Sequence, residues 1–231
     1  MASPVLRSLV VVIAVAASSA ALVGILGNWG PGPYSYESIR GHVVQIYGRG
    51  VYGHMSAEVA IQGIAQDYVT LLAGVPLLLG SYWRARDGGL RSRFLLAGVL
   101  GYFLVTYLFC ITMGTYNVLF LVYALLLGCS FFALAQVLLS LASLDLASCF
   151  DERAPVRAAG GFLMANSLCI GLLWLSVVVP PLLDGSVVPV QTEHYTTLVV
   201  QGLDLGLLLP LGFVAGALLV RRRALVPYRA D

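Results

Sequence analysis

The sequence predicts an all-α polytopic membrane protein: a bundle of six transmembrane helices with both termini cytoplasmic and an ordered extracytoplasmic loop between the first two. Three observations carry this prediction. Of 231 residues, 59% are hydrophobic and only 10% charged, with a mean hydropathy of +0.90, whereas soluble domains run about 45–50% apolar and about 25% charged. Six runs reach the roughly 20 apolar residues that a helix needs to cross a hydrocarbon core of about 30 Å. The third observation is where the arginines fall. All 13 basic residues are arginine. Placing the N-terminus inside puts Arg7, Arg84, Arg86, Arg91, Arg93, Arg153, Arg157, Arg221, Arg222, Arg223 and Arg229 on the cytoplasmic side and leaves Arg40 and Arg49 outside. That asymmetry sets orientation. Helices are required because an open sheet would leave backbone groups unpaired in lipid. Soluble, disordered and nucleic-acid-binding classes are excluded, and residues 1–231 read as a single integral membrane domain in a bacterial or archaeal plasma membrane.

The first span is read as 9–29. A secretory signal competes for it, since Ala14-Val15-Ala16 and Ser18-Ser19-Ala20 resemble cleavage sites. The apolar run continues to Leu26, longer than a signal's apolar region, so an uncleaved anchor is expected. The loop 30–63 opens with Pro31-Gly32-Pro33 and contains the alternating stretch His42 to Tyr47, which suggests a short strand or hairpin on the outer surface. From His54 to Ala60 no helix breaker occurs, so the second helix is expected to begin before its membrane span, 64–83. The third and fourth spans, 94–114 and 118–142, are joined by about three residues and form a tight antiparallel hairpin. The fifth is 161–183, and the sixth, 195–220, stops at three arginines. A loop as long as 30–63 has either a structure or a task of its own. The four cysteines make no paired pattern and the outer loops hold none, so a disulfide framework is not expected.

Ionisable residues inside spans are costly and are functional candidates by default. Asp67 and Asp204 are the two. Each precedes the first inner arginine of its helix, Arg84 or Arg221, by 17 residues. At about 1.5 Å per residue both carboxylates lie roughly 25 Å from the cytoplasmic edge. Their surroundings are alike: Gln62, Gly63, Gln66 and Asp67 in one helix, Gln201, Gly202 and Asp204 in the other, with Pro76 and Pro210 further in. This weak similarity admits duplicated helix pairs or chance in Leu- and Gly-rich sequence. Small and weakly polar stripes (Gly63, Asp67, Thr70 and Gly74; Tyr102, Thr106 and Cys110) suit close helix packing and interhelical hydrogen bonds. The expected ligand pocket in the outer half of the bundle comprises Asp67, Asp204, Gln62, Gln66, Gln201, Tyr107 and Tyr116. An Asp near the interface also suits helix capping or headgroup contact.

Above that level, His54 and Glu58 stand four apart, and Glu193 and His194 are adjacent in the other outer loop. These types can bind zinc or another divalent ion, and on a helix His54 and Glu58 would share a face. An outer-face divalent metal is therefore a secondary expectation, and no other cofactor is expected. Phosphate-loop, nucleophile-elbow, dinucleotide and metalloprotease motifs are absent from the sequence, so enzyme chemistry lacks a constellation to carry it. The leading expectation is binding or transport of a small solute, cation or proton, with the aspartates as counter-charges. The alternative is a non-catalytic membrane subunit or assembly protein that engages partners through loop 30–63 and small-residue faces such as Gly212-x-x-x-Gly216. Expected partners are the lipid bilayer, further copies of the chain, or another membrane protein; nucleic acid is not among them.

Overall fold

A computed structural model describes residues 3–113, 115–144 and 155–221. The expectations resting on Cys149, Arg153, Arg222, Arg223 and Arg229 lie outside the described residues. Among the described residues six helices are long and apolar enough to cross a membrane: α1 Pro4–Leu26, α2 Ala57–Arg86, α3 Leu90–Thr112, α4 Phe120–Ala142, α5 Val156–Asp184 and α6 Val199–Val220. The chain is thus a polytopic, predominantly helical membrane protein. Its boundaries follow local chemistry. Helix α1 starts earlier than the hydrophobic run because Ser3 caps it, accepting from the Leu6 N–H at 3.1 Å, and Pro4 fills the first turn, where its missing N–H costs nothing. Helix α6 starts later than expected because a 3-10 turn at Val190–Thr192 and a run of bends occupy the preceding residues.

The chain divides into two compact units at Ser143. In the first, α1 packs on α2 and α4, and α3 packs on α2 and α4. Helix α1 contributes a stripe of small and aliphatic residues (Val10, Ile13, Ala14, Ala17, Ala20, Ala21, Gly24) at three- and four-residue steps, which lets neighbouring backbones come close. Leu78 from α2, Leu96, Leu100 and Phe103 from α3, and Leu126 and Val137 from α4 complete a fully buried core.

Residues 27–56 close one end of this unit. Strands β1 Tyr34–Glu37 and β2 Val43–Ile46 pair antiparallel, Tyr34 opposite Ile46. Alternation buries Val44 and Ile46 and exposes Val43 and Gln45. Backbone hydrogen bonds hold the fold-back after α1. Gly50 N–H donates to Trp29 O at 2.7 Å and Gly32 N–H to Gly48 O at 3.0 Å. Gly48 and Gly50 hold φ of +72° and +56°, the left-handed region that glycine enters freely. The segment then makes a 3-10 turn at Gly50–Tyr52 and leads into α2.

Helices α2 and α6 share an irregularity. Each contains a five-residue π segment, Thr70–Gly74 and Asp204–Leu208, followed by α helix with proline as its second residue, Pro76 and Pro210. Proline supplies no N–H and its ring crowds the preceding turn. Widening that turn to i→i+5 bonding relieves the crowding, and π turns of this kind concentrate at functional sites. Val75 N–H thus reaches back to Thr70 O, and Leu209 N–H to Asp204 O.

In the second unit, α5 and α6 pack directly on each other. A Cβ added to Gly160 would lie 2.5 Å from Gly216 O, and one added to Gly212 would lie 2.9 Å from Ser167 Oγ. The Gly212-x-x-x-Gly216 face, expected to engage a partner, is therefore applied to α5 within the same unit.

Candidate functional site

Asp67 lies on α2 one turn ahead of the π segment. Its Oδ2 accepts a hydrogen bond from the Tyr52 hydroxyl at 2.6 Å, within the range of a charge-assisted O–H···O⁻ bond. The 3-10 turn points the Tyr52 ring between α1 and α2. A Cβ on Gly63 would lie 2.6 Å from Tyr52 Cε1, and one on Gly24 would lie 3.3 Å from Cε2 and overlap the Asp67 carboxylate. Two glycines on facing helices thus make the slot that seats phenol and carboxylate together. Burial, reinforced by the neighbouring carboxylate, pushes the Tyr52 hydroxyl far above its ordinary pKa. It stays protonated and serves as donor.

Beside this pair runs a second set of hydrogen bonds between α2 and α3. Gln66 Nε2 donates to the Tyr102 hydroxyl at 2.7 Å and to Thr106 Oγ1 at 3.3 Å, and the Tyr102 hydroxyl is also 2.7 Å from Thr70 Oγ1. Thr70 is buried and is the first residue of the π segment, so the polar cluster and the helix irregularity meet there. Tyr107, buried on α3, stacks between Phe103 and Tyr123 at centroid separations of 6.3 and 6.0 Å. The first unit thereby joins Asp67, Gln66 and Tyr107 of the expected pocket in one region of α2–α3–α4.

Other expected members fall elsewhere. Gln62 is exposed on α2. Tyr116, expected in the pocket, is 76% exposed and its ring lies against that of Phe120 at the α3–α4 link. His54 precedes α2, which begins at Ala57. It therefore shares no helical face with Glu58, and both side chains are exposed. Glu193 and His194 are half-buried in the loop before α6, the His194 ring 4.2 Å from that of Tyr195. Among the described residues no three His, Cys, Asp or Glu side chains group to hold a metal ion.

In the second unit Asp204 opens the π segment of α6, with Gln201 half-buried one turn earlier. The Trp174 indole N–H on α5 donates to Asp204 Oδ2 at 2.8 Å. Each aspartate thus takes a bond from an aromatic side chain beside a π turn that leads into proline. Trp174→Phe keeps an aromatic ring but deletes the donor together with the pyrrole half of the indole. It is expected to lower unfolding stability in detergent by about 1 kcal/mol, the modest value reflecting a half-exposed carboxylate. An unchanged thermal midpoint would show that the bond is not formed.

Sequence reasoning missed Tyr52, Gly24 and Trp174; it read Thr70, Tyr102 and Thr106 as close packing and interhelical hydrogen bonding, and the bonds between α2 and α3 are of that kind. The available signals were an aromatic between glycines (Gly50-Val51-Tyr52-Gly53) near a span that carries a carboxylate, and the hydroxyl stripe opposite Gln66. Neither a protein-family model, nor a curated protein, nor a solved structure matches the chain.

Proposed function

We propose that this protein binds a proton or small cation at Asp67 and passes it across the membrane, with Asp204 in the second unit as a separate counter-charge. In this reading the termini are cytoplasmic, as the arginines indicate, and residues 27–56 and both aspartates lie toward the outer face. The observation that carries it is the Tyr52–Asp67 pair: a carboxylate on a membrane helix, bonded to a neutral hydroxyl and placed beside a hydroxyl–amide cluster and a π turn. A carboxylate there is costly unless paired or protonated. A neutral Asn or Ser would give Tyr52 the same acceptor without that cost, so the charge itself is the feature to explain.

The test is Asp67→Asn in proteoliposomes, with proton flux followed by an internal pH dye and sodium or potassium flux by isotope uptake. Asn Oδ1 still accepts from Tyr52, so the thermal midpoint is expected to be retained while flux falls at least tenfold. Wild-type protein that carries none of these ions, or folded Asp67→Asn and Asp204→Asn variants with full flux, would overturn the proposal. A second reading, a non-catalytic subunit or assembly protein, is favoured by the hairpin's apolar exposure: Ile39 is 88% and Val43 67% exposed. Co-purification of one membrane protein at fixed stoichiometry from the native source, lost on Ile39→Glu/Val43→Glu, would decide for it.

A further inference from the structure

We propose that Tyr52 is the loop-side gate of Asp67, a ring that must rotate out of the slot between Gly24 and Gly63 before water or a cation from that side reaches the carboxylate. The inference rests on the reading of Asp67 as an exchange site and names the element that controls access to it. Gly63 stands one turn ahead of Asp67, so a ring lying on Gly63 with its hydroxyl on Asp67 covers the approach from the loop end of the helices. Tyr52 is only 8% exposed. The turn that carries it is pinned by Gly50 N–H to Trp29 O at 2.7 Å, Met55 N–H to Tyr52 O at 2.9 Å and Tyr47 N–H to Met55 O at 2.9 Å. Opening is therefore a side-chain rotation, with the strands and the 3-10 turn staying in place. The glycines keep the slot walls flat for that rotation, where a Cβ on either side would wedge the ring. The groups within electrostatic reach of Asp67 are Tyr52 on the 3-10 turn, Tyr102, Tyr107 and Cys110 on α3 and Tyr123 on α4. None of these is a cation.

The experiment labels carboxylates of the full chain in nanodiscs with a water-soluble carbodiimide and glycine ethyl ester and reads each site by mass spectrometry. Glu58, exposed on the same helix, is the internal reference. In wild type, Asp67 is expected to react at least tenfold more slowly than Glu58. Tyr52→Ala is expected to speed Asp67 about tenfold and leave Glu58 unchanged, while Tyr52→Phe, which keeps the ring, stays within twofold of wild type. Should Tyr52→Ala not fold, Tyr52→Leu half-empties the slot and is expected to give a smaller gain in the same direction. Asp67 reacting as fast as Glu58 in wild type, or no gain in a folded small-side-chain variant, would overturn the gate. Labelling is independent of flux. Expected labelling with unaltered flux in Asp67→Asn removes the ion-passage reading and leaves the gate; the converse removes the gate alone.

Discussion

Gly160→Leu is expected to separate α5 from α6. At this crossing the obstacle to a side chain is backbone: Cβ at Gly160 would lie 2.5 Å from Gly216 O, and Cβ at Gly216 would lie 2.6 Å from Gly160 O. A clash with the end of a flexible side chain relaxes by rotation, but a clash with a helix carbonyl relaxes only by moving the helix. Overpacking of an ordinary core costs roughly 1–3 kcal/mol, and this site stands at the top of that range or above it. Membrane helices gain little hydrophobic drive toward each other, so close packing is the main term holding the pair. The measurement is trapping by a bifunctional thiol reagent between cysteines introduced at Met164 and Val220, which flank the crossing: Met164 lies against Gly216 and Val220 against Gly160. Efficient trapping in an otherwise wild-type background and its loss in Gly160→Leu are expected; equal trapping in both would show that the close approach does not form. Gly171, whose nearest neighbour is a Leu209 side-chain carbon at 3.9 Å, is the control, and Gly171→Ala is expected to trap normally.

The second large effect is expected at Gly48. Its φ of +72° places it in the left-handed region, which costs a residue with Cβ roughly 1–2 kcal/mol. Any Cβ there would also overlap the backbone oxygen of Gly32. Gly48→Val adds β-branching to both problems. The contact ties the start of the 27–56 segment to its second strand's exit, so limited proteolysis of reconstituted protein within 30–56 is expected to accelerate at least tenfold, with the spans staying protected. Gly41 tests the explanation. It too has positive φ, +78°, but nothing lies within 4 Å of its Cβ position. Gly41→Ala is expected to show only the conformational cost and near-normal protease resistance.

These residues also show where sequence reasoning reached its limit. The six apolar helices are legible because lipid imposes a length and a composition on each segment independently, and a 20-residue run needs no knowledge of its neighbours. Asp67 and Asp204 are legible for the same reason, as carboxylates against an apolar background. Tyr52 is less so: its importance lies in a contact across 15 residues of chain, and the glycines that flank it do not by themselves name its partner. Gly24 is hidden among the small residues of α1 until Asp67 is seen opposite it. The π turns had a local signal in Pro76 and Pro210, but proline alone does not say whether a helix will kink, break or widen. His54 shows the opposite failure. A spacing of four reads as one helical face only if both residues are in the helix, and α2 begins three residues too late.

The π turns of α2 and α6 have a mechanical consequence. Each is a helix carrying one surplus residue, and one residue of α-helix corresponds to a rotation of about 100°. If the surplus is handed to the next turn, the side chains it passes swing by that angle about the axis while both ends of the rod keep their positions. Proline on the C-terminal side of each turn lacks the N–H that an ordinary helical bond would need, which opposes handing the surplus on in that direction and leaves the aspartate side open to it. The carboxylates lie at or before these turns, and Arg84, Arg86 and Arg221 lie beyond the prolines.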